Sequence, residues 1–77
     1  MELGTRWAVG DDPPARIGSA MHDAIRQVEG ELLGFDTSTW RWTLTWLERL
    51  PIVTLDDGTV IRLGHDGVVS IEAASAD

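Results

Sequence analysis

Seventy-seven residues with one dense apolar region leave room for a single hydrophobic core and no second domain. Six arginines, no lysine and thirteen acidic residues give a formal net charge of -7, which disfavours nucleic-acid binding through phosphates and attraction to anionic membranes. The lack of cysteine excludes disulfides, thiolate catalysis and zinc-thiolate sites. No early segment has the form of a signal peptide and no apolar run approaches the roughly 18–20 residues of a bilayer span, so the expected location is the cytoplasm.

Lys, Asn, Tyr and Cys are missing while Ala, Gly, Asp, Val and Arg abound, which points to codon bias in a GC-rich, bacterial genome and says nothing of function. Residues 1–9 end in TRWAV, where Trp7 and Val9 alternate with Arg6 and Ala8, a pattern for a short strand or extended arm. GDDPPARIG follows. Its prolines break any ladder and can open a helical turn, and it reads as a surface connection.

From Ser19 the period changes. Met21, Ile25, Val28 and Leu32 recur at helical steps, with Ala20 and Ala24 on the same side, predicting an amphipathic helix over 19–33. Ser19 is the expected N-cap, Asp23 an acid near the positive end of the dipole, and Gly34 the C-terminal stop. Gly30 costs about 1 kcal/mol relative to alanine, so either the last turn is expected to fray or the backbone to pass close to something there.

TWRWTLTWL puts Trp40, Trp42, Leu44 and Trp46 at every second position. Helical spacing would scatter these around the axis, whereas a strand collects them on one face. Leu50 and Pro51 read as a turn. LDDGTVI and GHDGVVS both carry Asp-Gly between apolar runs, a hairpin signal at Asp57-Gly58 and Asp66-Gly67; their likeness reflects shared turn chemistry and not a repeat. The strands expected are 40–47, 51–56, 59–64 and 67–73, followed by a loose tail, AASAD. The fold class is therefore α+β, with one amphipathic helix packed on one face of a four-stranded antiparallel meander and room for an extra N-terminal edge strand.

Each tryptophan can bury roughly 150–250 Å², more than so small a domain can leave wet, so the stripe reads first as core. One helix is narrower than the sheet. Trp46 and Trp7, nearest the ends of the layer, are the aromatics expected to project toward a partner. The alternation sends Arg41, Thr43, Thr45, Leu47, Ile52, Thr54, Val60, Arg62, Val68, Ser70 and Glu72 to the opposite face. There Leu47, Ile52, Val60 and Val68 can form an apolar patch, and the sequence holds no second helix to cover it. Such faces tolerate β-branched residues in water, but they also serve homodimers.

Chemistry has weaker signals. His22-Asp23 and His65-Asp66 could ligate metal or move protons, yet a metal site needs three or four converging ligands, and capping and turn formation account for both aspartates. DDGT lacks the ligand spacing of a calcium loop, and GHDG leads into a strand instead of a helix N-terminus. No serine has an activating motif. Asp11-Asp12 and Glu29 with Glu31 read as a solvated face, and also admit an inhibitor-like or antitoxin-like role in which an acidic module docks on a basic partner. The function expected is a non-enzymatic interaction module whose partner is a protein or a second copy of itself, with no cofactor, metal, nucleic acid or membrane. The alternative is a small-ligand or metal-binding protein using the Trp ladder or the His-Asp pairs.

Overall fold

Hydrophobic period switches from two to 3.6 and back along the chain, and the elements follow it. The computed structural model describes residues 5–73. Strand β1 (Thr5–Ala8) leads through a 3-10 turn (Ala15–Ile17) into helix α1 (Ser19–Glu31), then β2 (Arg41–Leu47), β3 (Leu50–Leu55), β4 (Val60–Leu63) and β5 (Val69–Glu72). The sheet order is β1-β2-β3-β4-β5 with every neighbour antiparallel. The fold is α+β, with five strands instead of four, because β1 pairs with β2 over its full length. The expected tail falls largely on residues 74–77, outside the described residues.

Register explains the core. Trp7 faces Trp42, which faces Leu55, and in the next row Leu44, Val53, Ile61 and Ile71 stand in line across four strands. These rows lie under α1, which packs on β4, β5 and the 3-10 turn with Met21, Ala24, Ile25 and Val28 buried. Met21, Ile25, Trp42, Val53 and Ile61 retain no exposed surface, and burial of an aliphatic side chain is worth about 1.5–3 kcal/mol. Ala20, expected on the buried side, is exposed. The proline-rich connection is more than a surface link, since Pro13 and Ile17 are buried.

Several boundaries differ from the expectation for local reasons. Gly18, with φ of 91°, occupies the N-cap, Ser19 is the first helical residue, and no side chain caps the start. The helix stops at Glu31, where the N–H groups of Leu32 and Leu33 turn to the carbonyls of Glu29 and Gly30. Gly34 has the positive φ expected of a stop, 98°.

The turn read at Leu50-Pro51 lies instead at Glu48-Arg49. Leu47 pairs with Leu50, which leaves a two-residue loop whose φ angles, 53° and 69°, are both left-handed. Two-residue hairpins require this twist, which asparagine and glycine normally supply. Pro51 sits inside β3 because the ladder to β4 begins only at Ile52, so its missing N–H costs no bond there. The two Asp-Gly turns share one geometry. Gly58 N–H donates to Leu55 O (2.9 Å) and Gly67 N–H to Gly64 O (3.0 Å), with both glycines at positive φ. In each turn the aspartate carboxylate accepts from the N–H two residues on, Asp57 from Thr59 (2.8 Å) and Asp66 from Val68 (3.0 Å).

Candidate interaction surface

Helix α1 covers one side of the sheet, and among the described residues no element covers the other. Strand alternation and the register bring Arg41, Thr43, Thr45, Leu47, Ile52, Val60 and Arg62 together on that uncovered side. Thr43 faces Thr54, which faces Val60; Thr45 faces Ile52, which faces Arg62. Ile52 and Val60 are therefore diagonal neighbours. Leu47 faces Leu50, and Leu50 precedes Ile52 by two residues on the same side, so Leu47, Leu50, Ile52 and Val60 form one diagonal apolar band.

Val68 is 61% exposed at the same end as Leu47. Its carbonyl accepts from Gly64 N–H (2.9 Å), while His65 Nε2 lies 3.9 Å from Glu48 Oε2, both side chains being exposed. Sequence reasoning missed Leu50. The neighbouring proline disguised it as a turn residue, although the even spacing Leu50, Ile52, Thr54 carried the signal.

The face is close to electrically balanced. Arg6 approaches Asp56 (3.7 Å) and Arg62 approaches Glu72 (4.0 Å), while Asp56 also accepts from the Arg41 N–H (2.9 Å). These exposed pairs add little stability, but they neutralise the surface.

The tryptophans divide differently from expectation. Trp7 is 8% exposed and belongs to the core, so it does not project toward a partner; β1 turns it inward opposite Trp42. Trp46 is half-buried against the core, as is Trp40. With Trp42 fully buried, no open aromatic ladder remains on which a sugar or base could stack.

Glu29 also departs from the solvated face assigned to it. Its Oε2 accepts from Trp42 Nε1 (3.0 Å) and from Gly10 N–H (2.9 Å), and its Oε1 from Arg26 (2.9 Å). One carboxylate thus joins α1, β2 and the segment after β1, and relieves the buried indole of an unpaired donor. His22 is half-buried with Nε2 at 2.7 Å from Pro14 O, so it donates there and fastens the proline segment to the helix. Among the described residues no three of His, Cys, Asp and Glu gather as a metal site would require, and no helix is long and apolar enough to cross a membrane.

Comparison with family models, with curated proteins and with solved structures finds no match to this chain. Two further exposed side chains escaped sequence reasoning, Leu33 and Phe35, which follow the helix where its period has already ended and no pattern marks a face.

Proposed function

We propose that this chain is a small, acidic, non-enzymatic interaction module of the cytoplasm that self-associates through the sheet face opposite α1. The observation that carries the reading is the continuous band of Leu47, Leu50, Ile52 and Val60 on a face that no second layer covers among the described residues. Charge supports a second copy as the occupant. A molecule of net charge -7 repels itself over most of its surface, but on this face the acids Asp56 and Glu72 are matched by Arg6 and Arg62. A two-fold contact lays the band on its own copy and removes from water the partly exposed apolar area that α1 cannot reach. Binding of a small ligand or metal has less support, since Trp7 and Trp42 are enclosed and His22 is engaged by Pro14.

Sedimentation velocity across a concentration series tests the proposal. The expected result is a concentration-dependent shift from monomer to dimer that Ile52→Lys with Val60→Lys abolishes while the circular dichroism spectrum stays folded. A single monomeric species at every concentration sinks the self-association.

A further inference from the structure

The end of α1 presents a second surface of different character. Leu33 and Phe35 are the most exposed large apolar side chains among the described residues, at 83% and 66%. They flank Gly34, whose positive φ reverses the chain, and Phe35 N–H donates to Leu32 O at 3.0 Å, so both exposed side chains rise from a hydrogen-bonded turn. Beside them lies an open cleft of about 390 Å³ lined by Val9, Leu32 and Thr37.

Its rim is acidic. Asp11, Glu31 and Asp36 adjoin the lining residues and are exposed, and the last turn of α1 carries no basic residue to offset the negative end of the helix dipole. Of the cations nearby, Arg26 is held by Glu29 (2.9 Å) and Asp12 (3.2 Å), and Arg41 donates to the Trp40 carbonyl (3.2 Å). The Ser38 hydroxyl and then the Ser38 N–H hold the Asp36 carboxyl below its ordinary value.

A second copy seated here would set these acids against themselves, and an anionic lipid surface would be repelled. A segment carrying both apolar and cationic side chains complements both parts of the patch. We infer that Leu33, Phe35 and the adjoining cleft dock a basic amphipathic peptide segment of a partner protein. Its apolar side chains pack on the two knobs, and its Lys or Arg side chains meet Glu31, Asp36, Asp11 and the C-terminal carbonyls of α1. This surface is separate from the sheet face and stands without it.

Titrating the labelled full chain with a synthetic Leu/Lys peptide of helical periodicity, against a scrambled peptide of equal composition, tests the site. The periodic peptide is expected to bind more tightly and to shift the amide resonances of Val9, Gly10 and residues 30–37. Leu33→Ser with Phe35→Ser should weaken it by at least about tenfold, as loss of interface anchors does, with the thermal midpoint unchanged. Glu31→Gln with Asp36→Asn should weaken it and flatten its salt dependence. Ile52→Lys with Val60→Lys should leave it alone.

Diffuse shifts over the acidic surface, indifferent to the Leu33 and Phe35 changes, would overturn the site in favour of unspecific charge attraction. Loss of self-association in that same double variant would reassign the patch to a second copy. Binding to zwitterionic vesicles that the double variant abolishes would reassign it to lipid.

Discussion

Glu29 is the residue on which the helix, β2 and the segment after β1 converge, and its removal is the sharpest test of how the core is closed. Glu29→Ala leaves the buried Trp42 indole N–H without an acceptor, and an orphaned buried donor costs about 1–3 kcal/mol, to be read as a lower denaturation midpoint. Glu29→Gln keeps an acceptor oxygen and should cost less. Local pattern could not announce this role. The partners Gly10 and Trp42 are distant in sequence, and an acid beside the apolar helix stripe reads as solvated until tertiary packing closes over it.

The neighbouring indole differs, since Trp7 Nε1 is buried with no hydrogen-bond partner among the described residues. Trp7→Phe removes an unpaired donor, whereas Trp42→Phe breaks a bond to Glu29, so the Trp42 change is expected to be the more destabilising in chemical denaturation. At Asp36 the folded-state carboxyl lies below its ordinary value of 3.8, held first by the Ser38 hydroxyl. The favourable interaction is therefore complete above the ordinary value and is lost as pH falls through the lowered one. Carbon NMR of the Asp36 carboxyl should show its titration moving upward in Ser38→Ala.

Among the elements, the β2–β3 hairpin is the one whose sequence opposes its conformation. Two non-glycine residues, Glu48 and Arg49, hold left-handed φ angles, each costing about 1–2 kcal/mol for an L-residue. The double change Glu48→Asn with Arg49→Gly supplies the residue types this turn favours. It should raise stability by about 1–2 kcal/mol, measured as a higher urea midpoint with an unchanged slope. The Asp-Gly turns were legible because aspartate and glycine carry turn chemistry in their own side chains and backbones. This turn was not, because its twist is imposed by the register of Leu47 with Leu50, and Pro51 supplied a false break. The helix was legible from Met21 to Val28 for the opposite reason: a 3.6-residue period directly specifies a buried stripe. Its start was misread because Gly18 caps it by backbone conformation, leaving Ser19 inside the first turn.

At the scale of the molecule, the sheet's two sides were legible from alternation alone, since a period of two fixes which side chains share a face before any register is known. What alternation does not fix is which of them touch. The diagonal of Leu47, Leu50, Ile52 and Val60 exists only through the pairings across β2, β3 and β4. The two-sided layer also predicts an optical signature. Acrylamide quenching should find Trp7 and Trp42 protected and Trp40 and Trp46 partly accessible, so single Trp→Phe variants at 40 and 46 should remove most of the quenchable emission.

The order of strands also sets an order in time. Neighbours from β2 to β5 are joined by tight turns, so their pairing closes short loops, while β1 reaches β2 only after the proline segment, α1 and the stretch to Arg41 have been laid down. Loop closure grows costlier with length, and non-local pairing slows folding. The meander is thus expected to assemble first and β1 to dock last. Because that final step carries Trp7 into the core, protection of its emission from acrylamide during stopped-flow refolding should lag behind protection of Trp42. In native-state hydrogen exchange the amides of β1 should be among the earliest to open.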